Sequence, residues 1–327
     1  MTTVGIIANP ASGKDIRRLV AHGSVFDNEE KANIVWRLLL GLDAVGVTRV
    51  LIMPERFGIG LRALDGIQLN LETALLDVQP RHNQEDSRRA AQMMVDQGVR
   101  CLITLGGDGT NRIVAKASGD VPIMPISTGT NNVFPVMIEG TIAGLAAGLV
   151  AVGAAEEAVF RAPRIDVWQE GNAAVRDMAL VDAVVYAEQF IASRAIWDEA
   201  KIRDVILTRA EPGNIGLSSV GSHLLAGDYP PQHGLYLRIA PEGRKVLAPI
   251  APGLLRPVAV AEHRLLPPGE DLVLTHRESC VLALDGEREV EMRPGTITHL
   301  CINPNGPRVV DARKAIAVAA RAGKFIL

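Results

Sequence analysis

Leu102-Ile103-Thr104-Leu105-Gly106-Gly107-Asp108-Gly109-Thr110-Asn111 is a short apolar run that stops on glycines holding one carboxylate. The pattern predicts a buried strand, a turn, and a helix from Asn111 to Ala117. Glycine at 106, 107 and 109 permits positive φ and puts no side chain between the backbone and a ligand. Successive N–H groups, continued by the helix N-terminus, then make a seat for phosphate. A lone carboxylate repels phosphate, so Asp108 inside that seat points to a bound metal ion or to a proton taken from an attacking hydroxyl. A tight Asp-Gly turn after a strand is the alternative.

Two other apolar runs end the same way. Val121 to Ile126 leads into Ser127-Thr128-Gly129-Thr130-Asn131-Asn132, and Val4 to Ala8 leads into Asn9-Pro10-Ala11-Ser12-Gly13-Lys14. Three strands each ending in a polar glycine loop describe the carboxyl edge of a parallel sheet, where ligands of open α/β folds bind. Between them, Lys31 to Leu42 carries Ile34, Val35, Leu38, Leu39 and Leu42 at helical spacing, and Thr48 to Met53 reads as a strand. A helix capped by Asn83 is expected to run to Gln97 and stop at Gly98. Leu69 to Val78 reads equally as strand or helix, and the Ala- and Gly-rich Thr141 to Ala151 as a packed helix. Right-handed βαβ crossovers are the expected topology.

NPASGK, GGDGT and STGTNN, in this order and spacing, resemble the loops of the superfamily of NAD kinases and diacylglycerol or sphingosine kinases. Leu282-Ala283-Leu284-Asp285-Gly286-Glu287 is similar to its C-terminal DGE or DGQ turn, so the likeness spans most of the chain. Within the superfamily it runs to the NAD-kinase-like acetoin-catabolism protein X family.

Composition changes near Phe160-Arg161-Ala162-Pro163. Beyond it lie short alternating runs, including Arg164 to Gln169, Met178 to Tyr186, Leu235 to Ala240, Leu272 to Thr275, Val281 to Leu284 and Ile297 to Ile302, separated by turn residues. This pattern predicts a sandwich or a layered antiparallel sheet. Glu188 to Arg209 is the exception, with Ile191, Ala195, Ile196 and Ala200 at helical spacing. Asp311 to Gly323 favours helix, and the resemblance implies that this C-terminal segment crosses back. The expected fold is α/β: an open parallel-sheet, Rossmann-like domain (1–160), a mostly antiparallel β-sandwich (161–303), a returning segment (304–327), and an active site in the interdomain cleft.

The resemblance implies ATP-dependent phosphoryl transfer with Mg²⁺. Such chemistry needs held phosphates, neutralised charge and a group that orients or deprotonates the acceptor hydroxyl. Asn9, Ser12, Gly13, Gly106, Gly107, Gly109 and Thr110 are the expected phosphate-binding residues, with Lys14 either a cation beside the phosphates or a solvated lysine. Asp108 and Glu287 are the expected catalytic carboxylates, and Asp108 with Asp285 the expected Mg²⁺ ligands. Glu287 is expected to face Asp108 across the cleft; a hairpin turn at Asp285-Gly286 is the other reading. Thr128, Gly129, Thr130, Asn131, Asn132 and Asp182 are expected on the substrate side.

Asn132 matches the asparagine of the lipid kinases' GTxND motif, but Val133 replaces its aspartate and Ser127 the preceding proline. Ala179 to Val185 is similar to the ALNEVVV strand of NAD kinases; Val181 stands where that family has a dinucleotide-binding asparagine, while Asp182 keeps the acid. NAD is therefore the leading acceptor, a lipid or small polyol the rival, and a nucleotide-sensing protein without turnover the third reading. The G-x-x-x-x-G-K-S/T loop is absent, so this is no P-loop enzyme.

Composition narrows the partners. The 327 residues suggest about two domains. A net charge of -3 offers no bulk attraction to nucleic acid or anionic lipid, and 4% aromatic residues offer little to a membrane surface. No window reaches the roughly 18 to 20 apolar residues of a membrane span, and no secretory signal is seen in residues 1–20. Cys101, Cys280 and Cys301 show no metal spacing and read as buried reduced thiols, so a cytoplasmic protein is expected. The seven histidines are scattered without ligand spacing. Ser218 and Ser219 lack the G-x-S-x-G elbow, which argues against an esterase; the glycine- and serine-rich Gly213 to Gly221 reads as a cleft loop or a plain surface loop. Partners are then a nucleotide and a small-molecule substrate, with a homo-oligomer expected.

Overall fold

The computed structural model describes residues 1–13, 23, 26–187, 201–226, 228–230 and 232–326. Lys14 and 188–200, the larger part of the segment read as a helix, lie outside the described residues.

The first part alternates strand and helix: β1 (Thr3–Ala8), α1 (Asn28–Ala44), β2 (Arg49–Ile52), α2 (Ile59–Leu64), β3 (Glu72–Leu75), α3 (Glu85–Asp96), β4 (Cys101–Gly106), α4 (Asp108–Ala115), β5 (Ile123–Ser127) and α5 (Gly140–Ala151). There follow β6 (Val159–Arg161), β7 (Arg164–Gln169), β8 (Asn172–Ala179), β9 (Asp182–Tyr186), β10 (Ile202–Leu207) and α6 (Leu217–Leu225). The chain ends with β11 (Gly234–Ala251), β12 (Leu254–Leu266), β13 (Asp271–Leu274), β14 (Cys280–Leu284), β15 (Glu287–Met292), β16 (Thr298–Asn303), β17 (Arg308–Val310) and α7 (Ala312–Arg321).

The first sheet has the order β3-β2-β1-β4-β5-β17-β6. It is parallel except for β6, which runs antiparallel to β17. Both faces are covered, which is why its strands read as continuous apolar runs. Val4, Ile6 and Ala8 pack with Ile34 and Leu38 of α1, Ala143 of α5 and Ala315 of α7, whereas Ile7 packs with Met94 of α3 and Leu102 on the opposite face. The small residues of α5 serve a close helix crossing: a Cβ on Gly144 would stand 2.4 Å from the Leu38 carbonyl oxygen. β17 and α7 bring the end of the chain back to this sheet and to α5.

The remaining strands form two antiparallel sheets, β12-β11-β10-β9-β14-β15 and β13-β16-β7-β8. Ile165, Val167, Leu300 and Ile302 of the smaller sheet share a core with Val185, Ile206 and Leu282 of the larger, a sandwich. Leu217 and Val220 of α6 cover the larger sheet's other face, against Leu207 and Leu237.

Several sequence expectations are corrected. Met178 to Tyr186 is not one strand: it breaks at Leu180-Val181 and passes from the smaller sheet to the larger. The helix expected up to Arg209 does not extend there, because Ile202, Val205, Ile206 and Leu207 are the buried residues of β10, a central strand between β9 and β11. Leu69 to Val78 resolves into β3, an edge strand. Asn83 accepts from Glu85 N–H at 3.0 Å, but the capping position is Gln84. Cys101 and Cys280 are buried and Cys301 is half-buried. Burial pushes the Cys101 thiol up to about 12, which keeps it protonated and unreactive. No helix among the described residues is long and apolar enough to cross a membrane.

Candidate active site

β1, β4 and β5 are neighbours in the sheet, so their carboxyl ends bring the three glycine loops together. The loops are cross-linked by their own side chains. Asn9 Nδ2 donates to Thr110 Oγ1 at 2.8 Å, and Ser12 Oγ lies 2.9 Å from Thr128 Oγ1. Asp108 Oδ1 accepts from the Val133 and Phe134 N–H groups at 3.0 and 2.7 Å, while Oδ2 lies 3.2 Å from Val133 N.

α4 starts at Asp108, earlier than the sequence pattern suggests, with Gly107 as its cap. The N–H groups of Asp108, Gly109 and Thr110 are therefore first-turn donors without helical partners of their own. Asn111, fully buried, holds the turn: Thr104 Oγ1 donates to its Oδ1 at 2.6 Å, and its Nδ2 donates to Gly107 O at 2.9 Å.

The reason for the glycines differs from the expected one. None of Gly106, Gly107 and Gly109 has positive φ; what they supply is room. A Cβ on Gly106 would meet Thr110 Cβ at 2.5 Å, one on Gly107 would meet Asn132 Oδ1 at 2.7 Å, and one on Gly109 would stand 3.5 Å from Glu287 Cγ. Asn132 cannot easily yield, because its Nδ2 donates to Ser127 Oγ at 2.8 Å and to Gly129 O at 3.3 Å. Gly107→Ala is accordingly expected to cost about 1 to 3 kcal/mol through overpacking, read as a lowered urea midpoint at constant slope.

Lys31 escaped the sequence reading. It is fully buried, and its Nζ donates to the carbonyl oxygens of Asn9 (3.0 Å), Pro10 (3.3 Å) and Ser12 (2.7 Å) and to Asn28 Oδ1 (3.3 Å). A lysine in the first turn of a helix opposes the helix dipole, and that was the available signal. Gly13, at φ +77°, completes this loop in a conformation suited to glycine.

The second wall comes from the β14–β15 turn and the start of β9. Asp285 is buried at φ +51°, and its carboxylate accepts from Leu180 N (2.8 Å), Val181 N (2.7 Å) and Asp182 N (3.2 Å), with Arg112 Nε at 3.9 Å. Burial pushes its carboxyl up to about 7, against the downward pull of the amides and of Arg112. These contacts do not fit the Mg²⁺ role expected of it: both oxygens are turned onto backbone amides and closed from solvent. Among the described residues no group of His, Cys, Asp and Glu is arranged to hold a metal ion.

Glu287 opens β15 and reaches the GGDGT loop, its Oε1 3.7 Å from the place of a Cβ on Gly109. Arg112, also missed, is fully buried. Its Nη1 donates to Asp177 Oδ1 at 3.1 Å, and Lys116 Nζ lies 2.6 Å from the same oxygen, so α4 is clamped to β8.

On the substrate side the expected residues divide. Thr128 and Gly129 are buried within their loop, whereas Thr130, Asn131 and Asn132 are half-buried. Asp182 is half-buried at the start of β9. Val181 packs with Phe134, Ala162, Leu180 and Val309, an apolar enclosure in which an amide would be buried. Ser218 and Ser219 are buried in α6, with Ser219 Oγ donating to Gly216 O at 2.6 Å, so this stretch is largely helix rather than loop.

Residues 4–154 match the family model of the ATP-NAD kinase N-terminal domain, and residues 163–305 that of the acetoin catabolism protein X C-terminal domain. Over 97% of its length the chain is 40% identical to acetoin catabolism protein X of Cupriavidus necator, of which it covers 92%. Among solved structures, yeast NADH kinase complexed with NADH matches with a TM-score of 0.51 at 14% identity, over 100% of this chain and 88% of that one, a likeness of fold. A diacylglycerol kinase-like protein of Bacillus anthracis str. Sterne matches with a TM-score of 0.47 at 13% identity, over 94% of this chain and 97% of that one.

Proposed function

The chain belongs to the acetoin catabolism protein X family, and from that premise we propose that it is a kinase transferring the terminal phosphoryl group of ATP to a hydroxyl, with the adenosine ribose 2′-hydroxyl of NAD as acceptor. The observation that carries this reading is the Asp108 carboxylate at the head of α4, beside the first-turn N–H groups of that helix and bonded to the loop after β5. N–H donors, a helix N-terminus and a carboxylate at one loop answer the needs of phosphoryl transfer: donors for phosphate oxygens and a base for the hydroxyl proton.

In this reaction the acceptor oxygen bonds to the terminal phosphorus, the bond to the ADP oxygen breaks, and the hydroxyl proton passes to a carboxylate. Asp108 takes that proton, through Oδ2, the oxygen with the longer bond from Val133 N. Half-buried Asp182 supplies an acceptor for a ribose hydroxyl. Among the described residues no group is arranged to hold a metal ion, so no step is assigned to Mg²⁺.

A second reading, a kinase of a lipid or small polyol, draws on the apolar enclosure of Val181 and on the resemblance, which matches Glu287 to the glutamate that serves the lipid kinases as acceptor base. Glu287→Gln separates the two. NAD kinases usually carry glutamine there, so turnover with NAD should fall by less than about tenfold, whereas loss of a polyol base should cost roughly 10² to 10⁴. The defining experiment incubates the protein with ATP, Mg²⁺ and, in turn, NAD, NADH, diacylglycerol and acetoin-like diols, following ADP release. Release with NAD supports the first reading, release only with a diol or lipid the second. ATP binding without release for any of them leaves a nucleotide sensor.

A further inference from the structure

Arg209 leaves β10 beside the second wall. Leu207 pairs with Asp182, and Thr208 bonds the carbonyls of Leu180 and Val181 through its hydroxyl and N–H. The guanidinium carbon lies 5.4 Å from the centroid of the Phe134 ring. Phe134 is the residue whose N–H donates to Asp108 Oδ1 at 2.7 Å, so Arg209 stands over the link between the second and third glycine loops. Its Nε is buried and has no hydrogen-bond partner among the described residues. Two fully buried cations of this region have partners of their own, Lys31 at the carbonyls of the first loop and Arg112 through Nη1 at Asp177, whereas Arg209 is half-buried.

A guanidinium carries donors only, and leaving a buried donor unmade is unfavourable. Stacked on an aromatic face, the planar fork is held in the orientation that suits bidentate binding of an oxyanion. Asp108, bonded to Phe134 N–H, Asp182, paired with Leu207, and Glu287, beside Gly109, make this region acidic, which leaves a need for positive charge wherever a phosphate enters. We propose that Arg209 is a specificity-determining residue that binds a phosphate oxyanion of the ligand in the cleft. This rests on the kinase reading above for the identity of the ligand. A pyrophosphate group, from either the triphosphate of the donor nucleotide or the bridge of a dinucleotide, has the required chemistry.

The test is calorimetric titration of wild type and Arg209→Gln with inorganic pyrophosphate, ATP, NAD and adenosine, with circular dichroism confirming the fold. Arg209→Met, which keeps an unbranched side chain against Phe134, replaces the glutamine variant if that one does not fold. Loss of one charged, bidentate contact should weaken pyrophosphate about ten- to a hundredfold and leave adenosine unchanged. Whichever of ATP and NAD weakens in parallel identifies the source of the phosphate. Pyrophosphate, ATP and NAD all binding the variant as tightly as wild type would overturn the proposal, as would absence of pyrophosphate binding by the wild type. Arg209-dependent phosphate binding without ADP release from any acceptor would sustain the proposal and remove the kinase reading instead.

Discussion

Asp108→Asn is expected to fold like the wild type and to lose a factor of roughly 10² to 10⁴ in turnover, the effect of removing a general base. The change conserves size, and the amide oxygen can still accept from the N–H groups of Val133 and Phe134, which Oδ1 accepts at 3.0 and 2.7 Å. The link between the second and third loops should therefore persist, and with it the thermal midpoint. What disappears is the negative charge at the head of α4, and with it the capacity to take a proton. Unchanged stability with reduced turnover assigns Asp108 to the chemistry. Lowered stability with near-normal turnover per folded molecule reduces Asp108 to a link between loops.

Arg112→Met should destabilise the protein by about 3 to 5 kcal/mol, the range for breaking a buried ion pair by removing one partner. Arg112 is 0% exposed, with Asp177 at 3.1 Å and Asp285 at 3.9 Å. Methionine fills much of the volume but leaves the Asp285 carboxylate without its cation. Burial raises the Asp285 carboxyl from 3.8 in the unfolded chain to about 7. A raised carboxyl contributes most to stability while protonated, below pH 4, and that contribution is lost as pH rises through about 7. Only the ionised form misses Arg112, so the deficit of Arg112→Met should be larger at pH 8 than at pH 5. Urea unfolding at both values measures it. Equal deficits would show that the loss is one of packing rather than of charge.

Much of the first sheet was legible because its strands are buried on both faces and its loops follow at once. The runs before Asn9, Gly106 and Thr128 carry β1, β4 and β5, and the order of the three loops is the order of the resemblance. Legibility ended where a residue's task depends on a partner distant in sequence. Nothing near Thr128 signals that its hydroxyl meets Ser12, and nothing near Asp285 signals that three amides from Leu180 to Asp182 turn onto it. Periodicity misled at β10, where an apolar run that reads on from a helical pattern is the middle of a sheet. It also missed the break at Leu180-Val181, because the apolar residues continue across a change of sheet. The glycines of GGDGT were identified for positive φ and for an open backbone; their φ values are ordinary, and the room they leave is taken up by Thr110, Asn132 and Glu287.

The reaction proposed for this protein is transfer of a phosphoryl group to NAD at the loop that holds Asp108. Incubation with Mg²⁺, NAD and ATP labelled in the terminal phosphate, followed by chromatography of the label, tests it most directly. The label is predicted to appear in NADP with wild type and to be reduced roughly 10² to 10⁴-fold with Asp108→Asn. Label that stays in ATP and inorganic phosphate, with NAD recovered unchanged, would contradict the assignment.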